Sequence, residues 1–187
     1  MVIKKSNFNS KKITLSVLKS GGVVILPCDT IYGFHGKASV TERKIRKIKG
    51  SGELKPFLRL LANPSELLKY STVKPDPRLL AFWPGPLTLV VPDRSGSTTA
   101  FRVPEDPFLG ALLAELDEPL LSSSVNRSGT EPLWQVEKII KEFEGEVDLI
   151  VEDGDLPGKL PSTILDISVT PYRIIRPGAL RLPDELF

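Results

Sequence analysis

Seventeen prolines punctuate the 187 residues of this chain. Proline has no amide donor and breaks a helix interior, so such a chain is held to short elements joined by firm turns. The apolar residues obey that restriction. Residues 23–26 form a strand-length apolar run ended by Pro27. Ile13, Val17 and Leu18 share one side of a short helix that Ser10 can cap and Gly21-Gly22 stops. Thr41 can cap a second helix, with Ile45 and Ile48 on its buried side and Gly50 at its end. Leu109, Leu112, Leu113 and Leu116 recur at helical spacing, as do Val136, Ile139, Ile140 and Phe143, with Pro132 in the first turn. Residues 77–83 read as a helix that halts at the Trp83-Pro84-Gly85-Pro86 corner, and 65–70 as a helical turn. Residues 57–61, 87–91, 100–103, 120–123, 148–151, 163–167 and 172–175 read as strands. Helices and strands alternate early, and strands dominate later. That order predicts an α/β fold, a twisted mixed open sheet flanked by helices. The length suits one domain spanning 1–187, with no internal repeat and no linker.

Composition removes several classes of function. Hydrophobic residues make up 41% and charged residues 26%, the balance of a globular chain that buries a proper core. No apolar run approaches the ~18 residues of a membrane helix, and no apolar signal stretch follows Met1-Val2-Ile3-Lys4-Lys5. A cytoplasmic protein is expected. Cys28 is the only cysteine and His35 the only histidine, which rules out an internal disulfide, a cysteine zinc site and a histidine-rich metal site. The net charge of +2 conceals two poles. Residues 41–59 hold seven cations against Glu42 and Glu53, and residues 131–155 hold nine acids against Lys138 and Lys141. The basic stretch suits the phosphates of a nucleotide or nucleic acid, and it reads equally as a solvated helix face.

Five loops rich in hydroxyls, amides and cations follow candidate element ends. They are Pro27-Cys28-Asp29-Thr30-Ile31-Tyr32-Gly33, Lys49-Gly50-Ser51, Ser124-Val125-Asn126-Arg127-Ser128-Gly129, Pro161-Ser162-Thr163 and Arg176-Pro177-Gly178. In an open α/β sheet ligands bind outside strand ends, where such loops meet. Each loop alone has a plainer reading as a turn, a cap or a helix end.

Together and in order, these pieces resemble the YrdC-like family, the threonylcarbamoyl-AMP synthases of tRNA modification. The resemblance runs from about Lys11 to Leu180. It also uses Lys55-Pro56, Trp83-Pro-Gly-Pro-Leu-Thr88, Arg102-Val-Pro104, Ser162-Thr-Ile-Leu-Asp166 and Ile175-Arg-Pro-Gly178. It implies a single YrdC-like domain with a basic central cavity. It implies an enzyme that joins L-threonine, bicarbonate and ATP into threonylcarbamoyl-AMP and pyrophosphate, with Mg on the ATP phosphates. The product would go to a tRNA-modifying transferase complex, and the chain could itself touch tRNA or double-stranded RNA. Carried over residue by residue, Lys49, Lys55, Ser124 and Arg176 would contact ATP. Thr30, Tyr32, Arg102, Asn126 and Ser162 would hold threonine or its carbamate, with Arg102 on the carboxylate. No side chain is assigned beyond positioning. One departure stands out: Ser51 occupies the place where the family carries an arginine after the lysine. The alternative is therefore a paralogue that binds a nucleotide or RNA without catalysis.

Overall fold

The computed structural model describes residues 1–52, 56–116 and 118–186. Among these, the strands form one ten-stranded sheet. The strands are β1 Val2–Lys4, β2 Val24–Pro27, β3 Tyr32–Lys37, β4 Leu58–Leu60, β5 Leu87–Pro92, β6 Thr98–Arg102, β7 Leu120–Ser124, β8 Leu149–Glu152, β9 Thr163–Asp166 and β10 Arg173–Arg176. Their spatial order is β1-β8-β2-β3-β7-β4-β6-β5-β9-β10. The sheet is mixed: β2 pairs with β3 antiparallel and with β8 parallel, and β4 pairs with β7 antiparallel and with β6 parallel. It is open, as the sequence predicts.

Among the described residues five α-helices pack on it: α1 Ser10–Lys19, α2 Glu42–Lys49, α3 Pro77–Leu80, α4 Pro107–Leu113 and α5 Val136–Phe143. Leu15 and Leu18 of α1 and Leu109 and Leu112 of α4 cover one face over Val24, Leu26, Leu60 and Leu120. Ile45 and Ile48 of α2 and Ile139 and Phe143 of α5 cover the other face over Ile25, Phe34 and Leu121. The β6-β5-β9 half carries a third core of Leu87, Leu89, Phe101 and Leu165, packed against Leu67, Leu79 and Trp83. Alternation along each strand splits these side chains between the two faces.

Several expectations need correction. Ser10 is the first residue of α1 rather than its cap, and its hydroxyl donates to Lys5 O at 2.7 Å. Thr41 precedes α2, yet its hydroxyl donates backward to Lys37 O at 2.7 Å instead of capping. The proposed helix at 77–83 keeps one turn, Pro77–Leu80, started by Asp76, which accepts from the Arg78 amide. Much of the expected loop at 27–33 is tight: Cys28 N reaches Ile31 O at 3.2 Å, and β3 begins at Tyr32.

Candidate functional site

The register decides which side chains can meet. Ser124 lies opposite Gly33, Ser122 opposite His35 and Leu58, and Leu60 opposite both Leu120 and Arg102. Cross-strand partners share a face, so Arg102, Ser122 and Ser124 project from one side of the sheet. Val90 pairs with Ala100 and Thr88 with Ile164, which brings Thr88 to that side as well. At the β2-β3-β7 end this face is covered by α1 and α4. Polar side chains of the remaining half gather beyond them.

Arg102 is the centre of the first group and is 3% exposed. Its Nε donates to Gly85 O at 2.8 Å, Nη1 donates to Thr30 Oγ1 at 2.9 Å, and Nη2 pairs with the Asp29 carboxylate. Beside it, Thr88 Oγ1 and Ser162 Oγ share a hydrogen bond of 2.8 Å. Arg176 Nη2 donates to Ser162 O at 2.8 Å. Burial and then the nearby charge of Arg102 lower the Arg176 pKa. Two guanidiniums therefore act on each other here, and Asp29 pairs with Arg102. The group holds excess positive charge, the condition that favours an incoming anion.

The second group is built by α2 and the loop after β7. Lys49 is the last residue of α2, and Gly50 turns the chain away at φ 62°. The Lys49 ammonium donates to Ser124 O at 2.5 Å, Asn126 O at 3.0 Å and Asn126 Oδ1 at 2.8 Å. Burial pulls its pKa down to about 8. Ser124 Oγ donates to the same Asn126 Oδ1 at 2.6 Å. Asn126 Nδ2 donates to Arg127 O at 2.9 Å and Thr130 O at 2.6 Å, which fixes the amide with its oxygen toward the lysine. Arg127 anchors this loop, pairing with Glu142 at 3.0 Å and Glu146 at 2.6 Å. The loops that carry the two groups meet at the backbone, where the N–H of Val125, between Ser124 and Asn126, donates to the carbonyl of Tyr32, two residues after Thr30, at 3.2 Å.

Thr30, Arg102, Ser162 and Arg176 thus lie in one group, and Lys49, Ser124 and Asn126 in its neighbour. Tyr32 is not brought to either. Its ring is buried on the opposite face, and its hydroxyl donates to Gly154 O at 2.7 Å while accepting from Asp153 N at 2.9 Å. Lys55 lies outside the described residues. Cys28 is buried, and burial pushes its thiol up to about 12. His35 is enclosed, and burial pulls its pKa down to about 4. Asp29, Thr88 and the Gly85 carbonyl enter the site without a role assigned from sequence. Their signal was their place inside Pro27-Cys-Asp-Thr and Trp83-Pro-Gly-Pro-Leu-Thr88.

The family model of Sua5, YciO and YrdC, described as telomere recombination, matches residues 16–178. The threonylcarbamoyl-AMP synthase of Pyrococcus abyssi is 27% identical over 92% of this chain and 55% of its own length. That of Idiomarina loihiensis is 29% identical over 81% of this chain and 89% of its own length. The chain spans about half the length of the Pyrococcus abyssi and Bacillus subtilis relatives. The crystal structure of E. coli YciO superposes with a TM-score of 0.82 at 27% identity, over 96% of this chain and 94% of that one. P. abyssi Sua5 complexed with L-threonine shares the fold, with a TM-score of 0.86 at 24% identity over 96% of this chain and 58% of that one.

Proposed function

The chain belongs to the Sua5–YciO–YrdC family, and from that premise we propose that it is a cytoplasmic L-threonylcarbamoyladenylate synthase. The amine of L-threonine attacks the carbon of bicarbonate, and water leaves to give a carbamate. A carbamate oxygen attacks the α-phosphorus of ATP, and pyrophosphate leaves. The product passes to a separate transferase complex that modifies tRNA.

One observation carries the reading. A buried guanidinium with adjoining hydroxyls lies next to a lysine–serine–asparagine group, and the loops that carry the two groups meet at Val125 N and Tyr32 O. The fork of Arg102 suits the threonine carboxylate. Asn126, its Oδ1 accepting from Lys49 and Ser124, fixes those two side chains beside the substrate. Thr30 and Ser162 add hydroxyls beside the guanidiniums. Lys49, Ser124 and Arg176 face the phosphates, where fixed cations stabilise the charge that grows as pyrophosphate departs. Positioning two substrates side by side supplies the rest, and no covalent enzyme intermediate is needed. Among the described residues no group of three His, Cys, Asp or Glu is arranged for a metal ion. The Mg of this proposal rides on the triphosphate, held by phosphate and water, and neutralises phosphate charge there. Arg43, Lys44 and Lys47 are exposed on α2 and support direct contact with tRNA or double-stranded RNA.

Ser51 favours a second reading, a paralogue that binds nucleotide or RNA without turnover. Among the described residues its buried hydroxyl has no hydrogen-bond partner, and a serine offers phosphate no fork of donors. The experiment compares adenylate formation by the wild type and Ser51→Arg. An enzyme with a weakened phosphate clamp gains rate in the variant, up to the ~10²-fold one well-placed donor supplies. A wild type that binds ATP but makes no product, with Ser51→Arg no better, establishes the second reading.

A further inference from the structure

The opposite face of the sheet holds a crevice of about 380 Å³ between α2 and the β5–β6 hairpin. Arg59 and Leu121 belong to its lining and pair with each other across β4 and β7. They alternate with Leu60 and Leu120, so the sheet itself separates this crevice from Arg102. It belongs to neither group described above.

The charges around it are mostly answered from within. Arg46 pairs with Glu42 at 2.7 Å and lies 4.6 Å over the Phe57 ring. Asp93 accepts from Ser95 Oγ at 2.5 Å and Thr99 Oγ1 at 2.8 Å. Arg59 is the exception. It is half-buried, and among the described residues it has no hydrogen bond, ion pair or ring contact. Its charge is felt by the Tyr70 phenol, which does not bond it. A guanidinium drawn partly out of water is normally compensated by a planar anion, which its fork of N–H donors grips at two points. Phe57 beside it is half-buried and apolar, and Leu121 closes the floor of the crevice.

We infer that this crevice is a second ligand site, which takes a small organic anion with its carboxylate or phosphate on Arg59 and its apolar body against Phe57. The inference is independent of the adenylate chemistry, since it uses no residue of that site.

The test is an NMR titration of the full chain, labelled at backbone amides and leucine methyls. The probes are phenyl phosphate and benzoate, with inorganic phosphate as the probe that lacks an apolar body. The expected result is saturable shifts at the Leu121 methyls and the Ser97–Thr99 amides with at least one aromatic probe. Whichever probe binds tighter identifies the head group. Arg59→Ala weakens that binding by about tenfold or more, and Arg59→Lys, which keeps the charge, weakens it less. If Arg59→Ala disturbs the fold, Arg59→Gln gives the same comparison with the side-chain length kept. The proposal is overturned by the absence of saturable shifts at these positions, by binding that survives both Arg59→Ala and Arg59→Gln, or by inorganic phosphate binding as tightly as the aromatic probes.

Discussion

Arg102 directs its guanidinium at Gly85 O, Thr30 Oγ1 and Asp29, three partners brought in by two separate stretches of chain. Two of its five N–H donors remain for a ligand. Arg102→Ala is expected to weaken threonine binding by ~2–3 kcal/mol and ATP binding much less. Arg102→Lys should recover little, because an ammonium lacks the planar fork. Calorimetric titration with each ligand checks this, and equal losses for both would count against the assignment. Lys49 gives a pH signature. Its folded pKa of about 8 lies below the ordinary 10.5, so the unfolded chain binds more protons between those values. Stability from this group therefore rises with pH through that window. ATP binding runs the other way, since a polyphosphate favours the charged ammonium. Affinity should be flat below about pH 8 and fall as pH rises, by at most about tenfold per unit. Lys49→Arg should abolish the slope, and a slope common to both proteins would sink the placement of Lys49. The cations of the site were legible in the sequence as motif members. Asp29 and Thr88 gained their roles only through Arg102 and Ser162, 73 and 74 residues away in the chain.

At the scale of elements, the apolar spacings located α1, α2, α4 and α5, and the strand ends placed the polar loops. Two strands escaped. Residues 32–37 show no polar–apolar alternation, because β3 is buried on both faces and carries glycines that read as loop signals. Those glycines answer to packing: a Cβ at Gly33 would come within 2.7 Å of His35 Nε2, and one at Gly36 within 2.6 Å of the Thr41 methyl. The other strand, β1, has three residues at the sheet edge, too few to show a period. Gly178 has an equally strict role. A Cβ there would collide with the backbone of Pro161, Ser162 and Thr163. Gly178→Ala should push the Ser162 strand end from Arg176, destabilising the fold by ~1–3 kcal/mol and weakening threonine binding. Thermal melts and ligand titrations measure both, and a variant with wild-type values for each would show that this approach has slack.

Across the whole molecule, the order of strands was the least legible property. β7 inserts between β3 and β4, and β6 lies between β4 and β5, so neighbours in the sheet come from distant parts of the chain. Local patterns carry no record of such pairings. Yet this interleaving is what delivers Thr30, Arg102, Ser162 and Arg176 to one place and seats the Lys49 group next to it. The acidic stretch also acquired a structural meaning: Glu142 and Glu146 hold Arg127, while Asp148 accepts from Val23 N at 2.8 Å. The claim that the two groups form one working site is tested most directly by supplying radiolabelled bicarbonate with threonine, ATP and Mg to the purified chain. The account predicts label in threonylcarbamoyl-AMP, one pyrophosphate released per product, and no labelled product when threonine or ATP is omitted. Full binding of ATP and threonine with no label transferred, in the wild type and in Ser51→Arg alike, would contradict it.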